Sequence, residues 1–526
     1  MKLYNNKRTI INCIIITLIF IYFFFSFTYK INLANSDIGR HIKNGEIFIK
    51  EHKIIKTNYY SYTLKDNLTI NHHWLSGVVY YIVQNYFGFT GLSIFNTLLN
   101  LIALLIFFLI AKKKTNIKIA SFFTLLAIPL INFRHEVRPE GFSYFFLGLV
   151  YFILEFFNNK KLSFKQTLVL IIIIQILWVN MHIFFILGPV IISIYFVNEV
   201  VNKTQNVKPY IFFLIFSILS SLFNPWYING LLEPLNIFKN YGYTIAENQS
   251  VLFMQKRFSY PVYYHFEILF ILVLTLIFLL IRKKLIKYYL KDILLIIAFS
   301  LLSWRFIRGL SIFALFFITF SSITTFNLIK KFNYKLKQSF YFCIFSILSL
   351  VFLIIIIPNN YYSLIHRNFG LGTFTDNLAA SEFFKQNKLH GPIFNNYDIG
   401  SYLIYTLFPQ EKVFTDNRPE AYTTEFFQDT FIPMQEDENK WEEINNQYKF
   451  NIIYFYIHDL TNWGQEFMIN RVKDPNWVPI FVDDYAIIFI KNEENNKEII
   501  EKFEIQKDRF SIGKIITTIP EMPKLT

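Results

Sequence analysis

Asp37 is the residue of this chain best placed to act as a base. It stands in Asn35-Ser36-Asp37-Ile38-Gly39-Arg40-His41, directly after a long apolar run. A carboxylate at such a boundary is reachable from water and partly desolvated, which suits general-base work. The same position fits an N-cap, because the amphipathic stretch 38–50 follows and aspartate is a favoured cap. The two roles do not exclude each other. Downstream lie the aromatic run Asn58-Tyr59-Tyr60-Ser61-Tyr62-Thr63 and then Asn71-His72-His73-Trp74-Leu75. Tyr and Trp concentrate at membrane interfaces, and two neighbouring histidines without further ligands rarely hold a metal. Arg40, His72 and His73 are therefore candidate substrate contacts, and no metal site or cofactor is assigned. Arginines mark two further turns, Arg134-His135-Glu136-Val137-Arg138-Pro139-Glu140 and Trp304-Arg305-Phe306-Ile307-Arg308. A charge at a helix centre costs about 2.5–3.5 kcal/mol on insertion scales, so these guanidiniums call for partners. Forked contact with an anionic phosphate, internal salt bridges and snorkelling all answer that demand.

The elements that carry these residues follow from composition. Of 526 residues, 54% are hydrophobic and 17% charged. Soluble domains carry about 25% charged residues, so a single water-soluble core is excluded. Residues 1–357 hold 35 Lys and Arg against 12 Asp and Glu, whereas residues 358–526 hold 16 against 25. The basic charge lies in short clusters between apolar runs and not on a polar face, which excludes a nucleic-acid partner. Cys13 and Cys343 each sit inside an apolar run and read as small buried residues.

A bilayer core needs about 20 apolar residues per helix. Eleven such segments precede Pro358, near 9–29, 92–111, 116–133, 140–157, 166–182, 184–201, 209–226, 264–281, 289–304, 307–327 and 338–357. Alternate loops are all basic: Lys2, Lys7 and Arg8; Lys112, Lys113, Lys114 and Lys118; Lys160, Lys161 and Lys165; Lys203 and Lys208; Arg282, Lys283, Lys284, Lys287 and Lys291; Lys330, Lys331, Lys335 and Lys337. Such loops stay cytoplasmic. This predicts a multi-pass protein of the cytoplasmic membrane, with a cytoplasmic N-terminus and three extracytoplasmic pieces: the loops 30–91 and 227–263 and the tail 358–526. Two junctions, within 166–201 and 289–327, leave almost no loop, and a miscount there would turn the tail to the other side. The tail reads as α/β. Helices are expected at 378–386, 399–407 and 497–506, and strands at 392–395, 412–415 and 451–458. A hairpin is expected across 477–483 and 485–491. The expected division is 1–357 as a transmembrane domain and 358–526 as an extracytoplasmic α/β domain.

These segments, in order, resemble a known group. Asp37-Ile-Gly-Arg-His-Ile-Lys-Asn-Gly-Glu46, Tyr60-Ser-Tyr-Thr63 and His73-Trp-Leu75 resemble the first external loop of bacterial GT-C-fold glycosyltransferases, related to the protein mannosyltransferase and aminoarabinose transferase families. Val137-Arg-Pro-Glu-Gly-Phe-Ser143, Trp178-Val-Asn-Met-His182, Phe223-Asn-Pro-Trp226, Ile245-Ala-Glu247 and Trp304-Arg305 are similar to segments of the same group. So are Asn396-Tyr-Asp-Ile-Gly-Ser-Tyr-Leu403 and Val413-Phe-Thr-Asp-Asn-Arg418 with Tyr422 in the tail. The resemblance implies an inverting transferase that takes a sugar from a polyprenyl-phosphate donor, with Asp37 as base on an acceptor not identified. It implies that Arg138, Arg305 or Arg308 neutralises the lipid phosphate and that Glu247 orients a hydroxyl. The chain departs from better-known members, which often carry two adjacent acidic residues where Asp37-Ile38 stands. Asp416 and Arg418 are either further site residues or a structural pair at a strand end.

Three other classes compete, one of them a non-catalytic receptor or scaffold whose outer tail binds a partner. A transporter or flippase calls for repeats, Gly/Pro-broken spans and midplane charges, yet the acidic residues well inside the runs, Glu155 and Glu199, lie near basic ends. A polysaccharide polymerase calls for a large outer loop mid-chain and not directly after the first span.

Overall fold

A computed structural model describes residues 2–204, 207–236, 239–331 and 369–510. The helices, in chain order, begin with α1 (Lys2–Phe27), α2 (Ile38–Glu51), α3 (Trp74–Lys114), α4 (Ile117–Asn132), α5 (Glu140–Asn158) and α6 (Phe164–Met181). Next come α7 (Leu187–Val201), α8 (Val207–Ser220), α9 (Ile228–Asn236), α10 (Val251–Phe258), α11 (Pro261–Arg282), α12 (Leu290–Arg305) and α13 (Leu310–Lys331). The tail adds α14 (Ala379–Gln386), α15 (Gly400–Leu407), α16 (Pro433–Glu436), α17 (Glu438–Tyr448), α18 (Asn462–Lys473) and α19 (Lys497–Phe503).

Ten of the eleven expected spans coincide with helices; the eleventh, 338–357, lies outside the described residues. Among the described residues, six helices are long and apolar enough to cross a bilayer by length and composition, and three shorter apolar ones accompany them. Both loopless junctions are true breaks. His182 is extended between α6 and α7 and caps the next turn with its own side chain, and residues 307–309 form a 3-10 turn between α12 and α13. One expectation shifts. The helix expected at 92–111 begins at Trp74, because 74–87 is itself apolar, and it breaks only at Gly88 (φ 63°). Cys13 is exposed on α1 rather than buried, and Cys343 falls outside the described residues.

The chain divides into two compact units. The first comprises Met1–Lys30, Ser93–Pro234 and Ile245–Leu371. Within it α13 is buried along most of its length and packs on α4 and α12. Glu155, the acidic residue inside α5, is answered by Lys114 Nζ and Lys291 Nζ, each at 2.5 Å, and by the Tyr195 hydroxyl at 2.6 Å. A buried carboxylate persists only when charged and hydrogen-bonded partners compensate its desolvation.

The second unit comprises Ile31–Leu92, Leu235–Thr244 and Gly372–Thr526. Its centre is a four-stranded sheet of order β1-β2-β4-β3, with β1 (Ile393–Asn395) parallel to β2 (Ile452–Tyr456). β4 (Ala486–Lys491) runs antiparallel to β2 and to β3 (Trp477–Val482), forming the expected hairpin. Phe394, Phe414, Trp441, Phe455 and Phe467 fill an aromatic core on one side. The expected strand at 412–415 does not join the sheet. Val413 makes one bridge to Ser61, while the Asn395 side chain accepts from Phe414 N at 2.9 Å and donates to Thr415 O at 2.8 Å. A side-chain amide thus takes the place of a ladder.

Candidate functional site

The sequence-predicted residues fall into two groups, one in each unit. In the second unit, Asp37 precedes α2 in helical conformation and makes no side-chain capping bond. The N-cap reading is thereby corrected: an αR backbone at the capping position does not aim the carboxylate at the first free N–H groups. The Asp37 carboxylate instead accepts from the Asn417 amide. Asp37 is half-buried and so reachable.

Close backbone approaches carry this carboxylate. Arg40 N–H donates to Ser401 Oγ at 2.9 Å. A Cβ on Gly39 would stand 2.7 Å from Ser401 O, and one on Gly400 would stand 2.5 Å from Asp416 Cα. Glycine at these two places lets α2, α15 and the 413–418 segment meet backbone to backbone. The buried Arg40 side chain reaches Asn417 Oδ1 at 3.5 Å, the long limit of a hydrogen bond. Asn417 therefore lies between a guanidinium and the proposed base.

Next to it, Arg418 grips Asp416 in a fork, Nε to Oδ1 at 2.8 Å and Nη2 to Oδ2 at 2.7 Å. Nη2 also donates to Asn58 Oδ1 at 2.9 Å, and the Tyr422 hydroxyl donates to Asp416 Oδ2 at 3.2 Å. Burial alone would lower the Arg418 pKa, but the Asp416 carboxylate holds it above the ordinary arginine value. The pair ties the 58–63 loop to the tail on either side of Asn417. Glu420, two residues on, has its carboxyl raised above the usual range by burial, against the opposing pull of Arg40 and Arg418.

His72 is buried and His73 half-buried. The His73 ring lies 4.1 Å from that of His72 and 5.2 Å from that of His41. Trp74 packs on Phe48 at 5.0 Å. Among the described residues no group of three His, Cys, Asp or Glu side chains is arranged to hold a metal.

In the first unit, Arg138 and Arg308 both pair with Glu247, Arg308 Nη2 at 2.9 Å from Oε2. Arg134 joins them, Nη1 at 2.9 Å from Glu247 Oε1, and also grips buried Glu140 with Nε at 3.0 Å and Nη2 at 2.8 Å. Partial desolvation opposes ionisation of the Glu247 carboxyl, but the three guanidiniums of Arg134, Arg138 and Arg308 outweigh it and hold the carboxyl well below the usual carboxylate range. Arg305 does not join this cluster. It is exposed at the end of α12, stacks 5.3 Å from the Phe306 ring and makes no ion pair among the described residues. Arg305 is the last residue of α12, whereas Arg308 lies within the 3-10 turn 307–309 that follows. Sequence reading named Arg134 and Glu140 only as members of the 134–140 turn, and passed over Asn417 and Ser401. The spacing Arg134-x-x-x-Arg138 with Glu140 was a usable signal; Asn417, a neutral residue between two charged ones, gave none.

No protein-family model matches the sequence, and no curated protein matches it. Solved structures do match by fold. The archaeal oligosaccharyltransferase AglB from Archaeoglobus fulgidus, in complex with an inhibitory peptide and a dolichol-phosphate, aligns with TM-score 0.60 at 10% identity, over 93% of this chain and 75% of that one. The same organism's oligosaccharyltransferase tethered with an acceptor peptide containing the NVT sequon aligns with TM-score 0.58 at 11% identity, over 92% and 74%. ArnT from Cupriavidus metallidurans in the apo state aligns with TM-score 0.51 at 11% identity, over 92% and 98%. At such identity the likeness is one of fold.

Proposed function

We propose that this chain, whose fold is that of the GT-C membrane glycosyltransferases, transfers a sugar from a polyprenyl-phosphate donor to an envelope glycan, lipid or protein acceptor. The reaction takes place at the outer face of the cytoplasmic membrane. The observation that carries this reading is the Asp37 carboxylate: half-buried, held by the Asn417 amide and making no capping bond. Asp37 takes the proton of an acceptor hydroxyl as that oxygen attacks the anomeric carbon. The bond from that carbon to the phosphate oxygen breaks, the configuration inverts, and the electron pair leaves with the lipid phosphate. Guanidinium charge placed where the negative charge develops lowers the barrier. Arg138 and Arg308 are the arginines of this role, and Arg305, exposed beside them in sequence, is a further candidate. Arg40, His72 and His73 are further substrate contacts in this reading. The fold neighbour solved with a dolichol-phosphate supports a lipid-phosphate donor.

A deletion strain complemented with wild type or Asp37→Asn tests the proposal. Mass spectrometry should find one lipid-linked sugar accumulating in the deletion strain and with Asp37→Asn, and cleared by wild type. Loss of a positioned base lowers turnover by about 10²–10⁴-fold. Full clearance by Asp37→Asn, inserted at wild-type level, overturns the assignment.

A further inference from the structure

Glu247 is an unusual partner for three arginines. Arg134 and Arg138 come from the turn before α5, Arg308 from the turn before α13, and Glu247 from a 3-10 turn of three residues, 246–248. All belong to the first unit. Glu247 Oε1 takes Arg134 and Arg138, and Oε2 takes Arg308. We infer that these three arginines form one anion seat, and that Glu247 is its resident occupant, displaced when the phosphate of a lipid-linked donor enters. The inference rests on the proposed transferase reading and adds a gate to it.

Four observations support it. First, the two acidic partners are built differently. Glu140 lies buried in the first turn of α5 and grips Arg134 through two nitrogens. It keeps that guanidinium oriented whether or not Glu247 is present. Glu247 lies instead on a three-residue turn with no buried residue, and it is the partner proposed to move, while Ile307 N–H donating to Gln249 O at 3.0 Å keeps the turn itself in place.

Second, the shapes correspond. Both carboxylate oxygens are used, from one central atom, by guanidiniums arriving from two turns. A phosphodiester likewise offers two unesterified oxygens on one atom, and guanidinium binds either in forked geometry.

Third, the charge balances. A carboxylate and a phosphodiester each carry one negative charge. Exchanging one for the other leaves the field at the arginines unchanged, with Glu140 and Glu136 still facing Arg134. An empty seat, by contrast, would leave buried positive charge uncompensated.

Fourth, the carboxylate does not saturate the seat. Arg308 Nε is buried without a hydrogen-bond acceptor among the described residues. Unmet buried donors are costly, and a phosphodiester brings two ester oxygens that a carboxylate lacks.

The test uses the full chain in detergent at about pH 5, where a phosphate monoester carries close to one negative charge because its second pKa is about 6, with farnesyl phosphate as the lipid probe, inorganic phosphate as the free anion and farnesol as the uncharged control. Glu247→Gln should bind farnesyl phosphate more tightly than wild type by about tenfold, because a charged competitor has left the seat. Glu247→Asp should bind as wild type does. Equal or weaker binding by a folded Glu247→Gln overturns the inference. A second measurement needs no variant: farnesyl phosphate added to wild type should speed hydrogen exchange at the Asn248 and Gln249 amides, which now donate to Ile245 O and Ala246 O. Unchanged exchange at saturating probe also overturns it. Inorganic phosphate should act only at higher concentration, and equal potency would overturn the assignment to a lipid donor. Wild type that binds no farnesyl phosphate sinks the transferase reading itself, whereas binding that Glu247→Gln leaves unaltered sinks only the gate. Neither readout requires turnover by Asp37.

Discussion

At the scale of single residues, the second unit places side chains of opposite tendency side by side. Asp416 and Arg418 neutralise each other in a buried fork, tied to Asn58 and Tyr422. Breaking one partner of such a pair costs about 3–5 kcal/mol, because the other is left as an unpaired buried charge. Glu420 has no such fork. Its burial outweighs the attraction of Arg40 and Arg418, and its carboxyl titrates above the ordinary value. The sign of the consequence is fixed. A carboxyl whose pKa is raised on folding contributes its stability below the unfolded value of 4.5, and that contribution is lost as pH rises through the raised folded value. Glu420→Gln, which mimics the protonated form, should therefore unfold at a higher temperature than wild type near neutral pH. The gap should close at about pH 4 and below. Thermal unfolding followed across that range checks it, and two curves that run parallel at every pH would contradict it. The charged pair could be read from Val413-Phe-Thr-Asp-Asn-Arg418, with its site role left open. The Asn417 contact could not, since its partner Asp37 is 380 positions away and nothing in local pattern encodes so distant a pairing.

At the scale of elements, α2 is the lever that sets Asp37, and its seat is glycine. A Cβ on Gly45 would stand 2.1 Å from Gly77 O, and one on Gly77 would stand 2.6 Å from His41 O. The helix that follows Asp37 thus lies backbone to backbone on the first turns of α3. The amphipathic period at 38–50 announced α2. The helical character of 74–91 went unread because the search was for a bilayer-length run, and that run begins later. Gly39, Gly45 and Gly77 were legible as letters, but a glycine at a helix crossing looks in sequence like any other helical glycine. Gly45→Ala forces the two helices apart, and overpacking of this kind costs about 1–3 kcal/mol. The variant should unfold earlier and should also clear the lipid-linked sugar poorly, although Asp37 itself is intact. A variant that loses stability yet keeps full transfer would show that the crossing does not position the carboxylate.

At the scale of the whole molecule, the apolar runs were legible because a bilayer imposes a local rule: each span must satisfy its own backbone and be apolar along its length. The makeup of the second unit was not legible, because it is assembled from Ile31–Leu92, Leu235–Thr244 and Gly372–Thr526. Composition marks the tail as acidic, but no period or motif says that the first loop belongs with it. That grouping bears on sidedness. If the loop that carries Asp37 and the tail that carries Asn417 form one unit, both must lie on one side of the membrane, and the positive-inside rule places that side outside. With Cys13 and Cys343 replaced by serine, single cysteines at exposed Lys65 and Glu442 should react with a membrane-impermeant maleimide in intact cells. Cysteines at exposed Lys112 and Lys160, in the basic turns, should react only after permeabilisation. Labelling of Lys112→Cys in intact cells would invert the protein. Opposite behaviour of positions 65 and 442 would be harder still on the proposal, since the amide that holds the base would then be on the wrong side of the bilayer from it.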